Sequence, residues 1–158
     1  MRLHGGLPFD NNVITVPQVE REPRNGAEWG ERDDEMAEFM HVHQEKWRAA
    51  QTVGHTLERC GLWEGREGTA AELWRIPEDY DLGKHRHDTW VSVFILEGAM
   101  RYTDSAGERT LGPGDCYFVN PGDTHREETL AKSLVLVVEA DPCVSYPVDE
   151  NGQRTNGQ

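Results

Sequence analysis

Two histidines, His85 and His87, stand two residues apart in a run that reads as a β-strand. Because successive side chains of a strand point to opposite faces, residues at this spacing share one face, which is the geometry of a bidentate metal site. A second pair at the same spacing, His41 and His43, lies in a segment with helical periodicity. There the two side chains point about 200° apart, so we interpret them as surface or interface residues.

A third histidine, His125, follows the turn sequence Asn-Pro-Gly-Asp-Thr at 120–124. Two predicted hairpins separate it from His87, and strands separated in this way can face each other across the lumen of a jelly roll. Three imidazoles could then meet at one divalent metal. In the alternative interpretation, His85 and His87 lie at the edge of a loop and His125 caps a turn. The residues alone leave both interpretations open.

The elements that must position these histidines are short runs rich in β-branched and aromatic residues, each closed by Gly, Pro, Asp or Asn. About eight such runs predict an antiparallel all-β domain, either a closed barrel or a jelly roll, over 53–148. The runs are 53–60, 69–77, 84–97, 99–104, 108–111, 115–119, 124–129 and 132–140.

Residues 1–52 are predicted to form an N-terminal arm and a helix. The first thirty or so contain several Pro, Gly and Asn without a sustained period, which is typical of an arm. Asp33 and Asp34 supply N-cap chemistry ahead of an apolar face that runs from Met36 to Trp47, so we place a helix near 33–50. We expect it to pack on the barrel or on a partner subunit, and we expect the polar tail at 149–158 to fray.

Composition limits the partners. The chain has 158 residues, with 16 Lys and Arg against 29 Asp and Glu and a formal net charge of −13. Such a field repels phosphate backbones and anionic lipids, so we expect a small-molecule substrate, with no nucleic acid and no membrane as partner. No run approaches the length of a membrane span, and the first residues lack the apolar segment of a secretory signal, so we expect a cytoplasmic protein.

Two segments together resemble the signatures of the cupin superfamily. The segment at 83–98 contains the His85 and His87 pair and ends its strand at Gly98; the segment at 114–125 contains Gly-Asp, a Pro-Gly turn and His125. The resemblance covers roughly 68–140 and implies a small single-domain cupin, a double-stranded β-helix in the form of a jelly-roll barrel. It also implies that His85, His87 and His125 are metal ligands in the lumen.

The chain departs from the cupin pattern at several positions. Val91 stands where the family usually has a Glu ligand, which speaks against a four-ligand manganese chemistry and leaves room for a cupin that only binds. Glu127, two residues after His125, shares its face in a regular strand and is the best substitute for the missing carboxylate. The other departures are Asp79, Gly83, Asn120 and Thr129.

Three neutral imidazoles leave the charge of a divalent metal uncompensated and two or three coordination positions open, which favours a small, anionic, chelating substrate. The resemblance implies one divalent metal per chain, with Fe(II) preferred and Zn, Ni, Mn or Cu as alternatives, and it favours a non-haem Fe(II) dioxygenase. One alternative is an O₂-independent lyase, isomerase or cyclase. The other is a non-catalytic cupin that binds a small ligand or a metal.

Alternation along the histidine strand predicts which side chains enter the lumen. If His85 and His87 point inward, so do Val91 and Val93, which we therefore expect to contact the substrate. Trp90, Phe94 and Leu96 then form an outward apolar stripe. Such a stripe needs a cover, and we expect a homodimer.

Four polar residues are further candidates for catalysis. Only one of Arg101 and Tyr102 can point inward, and alternation does not decide which; Arg101 would steer an anion, and Tyr102 could act as acid or base. Tyr117 is the third candidate. It and Cys116 face opposite ways, so one of the two is lumenal. Glu127 is the fourth candidate.

Overall fold

The structure, a computed structural model, describes residue 42 and residues 46–155. Nine β-strands follow one another along these residues, and no α-helix occurs among them. None of the described residues forms a helix long and apolar enough to cross a bilayer. The prediction of an all-β domain is confirmed. The strands are β1 (Arg48–Thr52), β2 (His55–Arg66), β3 (Thr69–Ile76), β4 (Asp81–His87), β5 (Val91–Asp104), β6 (Gly107–Leu111), β7 (Cys116–Val119), β8 (His125–Ala140) and β9 (Ser145–Pro147).

The longest strand, β8, organises the sheet. All strand pairs are antiparallel, and they form one curled network in the order β1-β2-β3-β8-β4-β9, with β5 joined to β6, β7 and β8. The first part of β8 lies between β4 and the end of β5, while its second part lies between β3 and the start of β5. This topology places His85 directly opposite His125 in the register of β4 and β8.

Gly98 lies at an irregularity inside β5, where the register against β8 shifts. Its φ is 88°, and a Cβ atom built on it would lie 2.4 Å from the carbonyl oxygen of Lys132. Only glycine fits such a close approach of two backbones at positive φ. The predicted turn at Gly98 is therefore wrong, because β5 continues through a bulge there. The chain breaks instead at 88–90, which divides the predicted strand 84–97 into β4 and β5.

The second strand prediction that needs correction concerns β8. The runs at 124–129 and 132–140 form one strand, whose alternate residues His125, Glu127, Thr129, Ser133 and Val135 are all buried. The strand thus keeps one phase of alternation over its whole length. The irregularity in the pairing of these two strands lies in β5, whose bulge is opposite the middle of β8.

Two clusters of buried side chains cover the two faces of the sheet. Residues on both faces of β3 are buried, which explains its nearly continuous burial. The cluster on the inner face consists of Leu57, Trp74, Ile76, Leu82, Val91, Val93, Ile95, Met100 and Val135. The smaller cluster consists of Trp47, Cys60 and Leu73.

Most of the helix predicted near 33–50 lies outside the described residues, as do His41 and His43. Its last residues, 48–50, belong to β1, which pairs with β2. A two-residue turn at Val53 and Gly54 joins the two strands with φ values of 51° and 83°. Positive φ at both positions is the type I′ pattern, whose twist matches that of a hairpin. The sheet therefore begins at Arg48, earlier than the predicted barrel boundary at 53.

The outward apolar stripe lies where alternation places it. Phe94 and Leu96 are 38% and 43% exposed, and Phe118 of β7 is 56% exposed. The ring of Phe118 stacks on Trp90, with the ring centroids 5.8 Å apart. A homodimer through this stripe stays a prediction.

The polar tail is more ordered than expected as far as the structure follows it. Asp149 closes a turn by accepting hydrogen bonds from the backbone of Asn151 and Gln153. Val148 then pairs with Arg154 in an isolated bridge. Residues 149–155 therefore fold back on the domain instead of fraying.

Candidate metal site and its cavity

The three predicted histidines meet. His85 and His87 on β4 and His125 on β8 each offer one ring nitrogen, and these atoms lie within 4.8 Å of one another. The ring centroids of His85 and His125 are 4.2 Å apart, and that of His87 is 5.2 Å from each. The shared face of positions 85 and 87 and the cross-strand register of β4 with β8 produce this cluster.

Hydrogen bonds fix two of the rings from behind. Nδ1 of His85 lies 2.9 Å from the carbonyl oxygen of Gly83, which can only accept, so Nδ1 donates and Nε2 keeps its lone pair. Nδ1 of His87 lies 2.8 Å from the hydroxyl of Ser145. Such an outer partner on the second ring nitrogen is typical of histidines that bind metals.

Burial makes the histidines suitable for a metal. It lowers the pKa of His87 to about 4, with further lowering from His85 and His125, and it lowers the pKa of His85 as well. Both rings are therefore neutral at pH 7, as a metal ligand must be. His125 is 1% exposed, and neither of its ring nitrogens has a hydrogen-bond partner among the described residues. An unpaired buried imidazole is costly, and a bound cation removes the cost. The donor set therefore fits a divalent metal.

Val91, at the position of the missing Glu ligand, is buried and lines a cavity beside the histidines. Val93 lines it too, so both residues predicted to contact substrate face the space that a substrate would occupy. The nearest carboxylate is Glu127. Its Oε1 lies 3.4 Å from Nε2 of His125, and its Oε2 lies 4.0 Å from Nε2 of His85. Glu127 thus borders the site as expected from its spacing.

Glu127 and Tyr117 form a buried polar pair, in which the Tyr117 hydroxyl donates to Oε1 of Glu127. Burial by itself raises the pKa of Glu127, but its interactions with His125 and His85 and the bond from Tyr117 lower the pKa to about 2. Burial, reinforced by Glu127, raises the pKa of Tyr117 well above its usual value. The pair is therefore an anionic carboxylate held by a neutral phenol.

The structure also decides the two orientations that alternation left open. Tyr102 is buried, and its ring lies 4.7 Å from the Tyr117 ring and 5.4 Å from the His125 ring. Arg101 points to the other face, where it pairs with Glu108 and Glu128. Arg101 is thus not brought to the histidines, and it cannot steer a substrate in the cavity.

The second undecided pair is Cys116 and Tyr117. Cys116 is exposed, while Tyr117 lines the cavity. Tyr102 reaches the site beside β8, where its cross-strand partner is Glu127.

Two of the departures from the cupin pattern have a local role. Asp79 adopts a φ of 52°, a left-handed conformation that Asp tolerates better than most residues, at a position where the family often has Gly. Thr129 accepts a hydrogen bond from the backbone of Tyr80 and donates to the carbonyl of Pro77. It thereby ties the loop before β4 to β8 and supports the strand that carries His85.

The cavity has a volume of about 500 Å³. Its walls combine a polar surface with an apolar surface of similar extent, and the apolar part includes Leu57, Trp74, Ile76, Val93, Met100 and Val137. They also contain three charged residues that the sequence analysis did not single out, Arg59, Glu72 and Glu139. One signal could have found Glu139, because counting in steps of two from His125 along β8 reaches it on the same face.

Comparisons with known proteins agree with this fold. Residues 72–138 match the Cupin_2 family, described as a cupin domain. No curated protein matches the sequence. Among solved structures, an acetylacetone dioxygenase from Acinetobacter johnsonii is 14% identical, covers 84% of this chain and 91% of its own, and gives a TM-score of 0.60.

Two further solved structures are similar. The polyketide cyclase RemF from Streptomyces resistomycificus is 19% identical, covers 73% of this chain and 90% of its own, and gives a TM-score of 0.57. KdgF from Halomonas sp. is 18% identical over 63% of this chain and 91% of its own, with a TM-score of 0.53. At these identities the likeness concerns the fold.

Proposed function

We propose, from its three-histidine site and the cupin-domain match at residues 72–138, that the chain is a non-haem Fe(II) oxygenase that acts with dioxygen on a small organic molecule chelating through oxygen or sulfur. The observation that carries the proposal is the set of three buried imidazoles, two of them neutral, beside a cavity whose wall has Val91 and no carboxylate at that position. Such a set leaves the metal charge available to an anionic chelating ligand. The acetylacetone dioxygenase with a similar fold supports this choice of substrate.

When bound at His85, His87 and His125, Fe(II) would supply redox chemistry and attract the enolate form of a β-diketone. Val91 and Val93 would contact the apolar part of the substrate and exclude water from it. Glu127, an anionic carboxylate beside the histidines, is placed to accept the proton that a diketone loses as it becomes an enolate. The Tyr117 hydroxyl holds that carboxylate in position.

Metal analysis combined with a probe ligand tests the proposal. Protein reconstituted anaerobically with Fe(II) should hold one iron per chain, change its absorption spectrum with acetylacetone, and consume dioxygen when air is admitted. The His87→Ala variant should lose all three properties, whereas His55→Ala, a histidine outside the cluster that contacts Tyr80, should keep them. If the iron-loaded protein binds acetylacetone but consumes no dioxygen, the proposal of an oxygenase is overturned.

One observation favours a second function, an O₂-independent lyase, isomerase or cyclase. The Tyr117 and Glu127 pair places a proton donor and a carboxylate side by side at the cavity wall, as acid–base chemistry requires. The polyketide cyclase with a similar fold supports it. Turnover of a β-diketone under strict anaerobiosis would favour this second function over the oxygenase. Metal and ligand binding without turnover in either atmosphere would identify a non-catalytic cupin.

A further inference from the structure

The cavity lined by His85 and His87 has a second polar region in its wall. Arg59 of β2, Glu72 of β3 and Glu139 of β8 all line it, together with Cys143, which follows β8. None of these side chains belongs to the histidine cluster or to the Tyr117 and Glu127 pair. The region therefore has no role in the function proposed above.

The two carboxyl groups of this region differ in their partners. Glu72 accepts hydrogen bonds from the Arg59 guanidinium and, at 2.7 Å, from the indole nitrogen of Trp74. Its charge and its hydrogen-bonding capacity are thus taken up within the protein. Glu139 instead has the Cys143 thiol as its hydrogen-bonding neighbour in the wall, and Arg59, which pairs with Glu72, acts on it through its charge. Glu139 is consequently the group with capacity left for a ligand.

Glu139 lines the same cavity as His85 and His87, and none of the three clustered histidines is among the groups that shift its pKa. Its cross-strand partner is Val91, the residue that replaces the usual carboxylate ligand. On the other side, Cys143 stands two residues before Ser145, which holds the His87 ring. A continuous wall therefore leads from His87 past Ser145 and Cys143 to Glu139. A molecule bound at the histidines and extending along this wall meets the Glu139 carboxyl.

We propose that Glu139 is a second recognition point of the cavity, which binds a carbonyl or hydroxyl oxygen at the end of the substrate remote from the three histidines. The proposal rests on the chelating function proposed above and deepens it. The substrate class becomes an elongated molecule with a chelating oxygen pair at one end, an apolar middle, and a further oxygen. A simple short diketone would use only the first part of the cavity.

The electrostatic surroundings favour a neutral Glu139 carboxyl, which can donate. Burial and the nearby Glu72 raise its pKa to about 7, Asp141 acts in the same direction, and Cys143 and Arg59 oppose the shift. Below about pH 7 the carboxyl keeps its proton and donates it to a ligand oxygen. Above that pH the carboxylate repels the same oxygen. Preference for an oxygen-bearing substrate should therefore weaken as the pH rises.

Binding of matched probes to Zn-loaded protein tests the proposal without turnover. The probes are straight-chain β-diketones that carry a further ketone at three different distances from the chelating pair. Each is paired with a diketone of equal length that lacks it. Calorimetry at pH 6 gives the ratio of Kd values within each pair, and acetylacetone binding reports separately on the chelating site. We expect at least one pair to favour the further ketone by about three- to tenfold, the worth of one hydrogen bond.

Two substitutions separate the role of Glu139 from general effects. Glu139→Leu, which keeps the bulk and removes the donor, should bring the ratio close to one. Glu139→Gln keeps an N–H donor and should keep the preference while losing its decline between pH 6 and pH 8. Glu97→Leu removes an exposed carboxylate of β5 and should leave the ratio as in the wild type.

Each result has a defined meaning. Equal binding within all three pairs by a protein that binds acetylacetone would overturn the Glu139 subsite and leave the chelating function standing. A preference that survives in Glu139→Leu would also overturn it. Failure of the Zn-loaded protein to bind any diketone, acetylacetone included, would overturn the proposed function itself.

Discussion

Glu127 and Glu139 lie on the same face of the same strand and border the same cavity, yet their neighbours shift their pKa values in opposite directions. Glu127 interacts with two histidines and accepts a hydrogen bond from Tyr117, and its pKa falls to about 2. Glu139 faces Glu72 and has a thiol beside it, and its pKa rises to about 7. One end of the wall therefore presents an anion, and the other presents a neutral acid.

The difference shows that the neighbours of a carboxyl group, and not its residue type or its burial alone, assign its role. Both groups are removed from water, which by itself raises both pKa values. At Glu127 the interactions with His125 and His85 and the bond from Tyr117 reverse that effect. At Glu139 the Cys143 thiol and Arg59 oppose it without reversing it, and Glu72 adds to it. The following predictions test this contrast, and those with the larger expected effects come first.

The largest change should follow removal of an imidazole from the Glu127 end. His125→Ala should reduce the affinity for a divalent metal by more than the roughly 10–100-fold that loss of an outer partner typically costs, because a direct ligand is lost. Equilibrium dialysis with Zn²⁺ followed by metal analysis measures this. His55→Ala should bind metal as the wild type does. Full occupancy in His125→Ala would show that the ligand assignment is wrong.

A smaller but still large effect is expected when the Glu127 charge is removed at constant shape. Glu127→Gln should lower kcat with a β-diketone by about 100-fold, the lower end of the range for a lost proton acceptor. Metal content should stay near that of the wild type, since three imidazoles remain. Glu97→Gln serves as a control for charge. A wild-type kcat in Glu127→Gln would contradict the proposed role of Glu127 as proton acceptor.

The bulge of β5 at Gly98, which lies opposite the part of β8 between the two glutamates, should also be sensitive to substitution. Gly98→Ala should lower the free energy of unfolding by about 3 kcal/mol, because the substitution combines a positive φ with a contact too short for Cβ. Gly107→Ala is the matched control, since Gly107 also has a positive φ but open space at Cβ. Urea denaturation compares the two. Equal losses would mean that the close approach to Lys132 contributes nothing.

The smallest effect concerns the pH dependence of stability. Because the pKa of Glu139 is higher in the folded chain than in the unfolded chain, ionisation favours unfolding as the pH rises from about 4.5 to about 7. Stability from this group is complete below that window and lost above it. The stability of Glu139→Gln relative to that of the wild type should therefore be greater at pH 8 than at pH 4. Parallel pH profiles of both proteins would contradict the raised pKa.

The metal cluster was predicted from local patterns together with the resemblance to the cupin signatures, since the residues alone left a second interpretation open. His85 and His87 share a face because strands alternate, and the signature around His125 supplied the third ligand. The same alternation placed Val91, Val93 and Glu127 on the buried face. The break at 88–90 between β4 and β5 preserves the phase, and β8 is regular between His125 and Glu127.

Alternation failed where an irregularity interrupted it. Counting in steps of two from Val93 would bring Arg101 inward, but the bulge at Gly98 shifts the phase of β5 and brings Tyr102 inward. The β1–β2 hairpin was missed because its turn uses Val53 instead of the Asn or Gly that signals a type I′ turn. Glu72 and Arg59 were missed because their pairing depends on the register of β2 and β3, which no local pattern contains.

The unbroken phase of β8 limits how this protein can change during evolution. His125, Glu127 and Glu139 occupy odd positions of one strand, so inserting or deleting a single residue between Glu127 and Glu139 would turn one end of the set out of the cavity. Substitutions at those positions carry no such penalty. We therefore expect descendants of this chain to vary in side chains along β8 while its length stays constant, and to accept insertions at the loops instead.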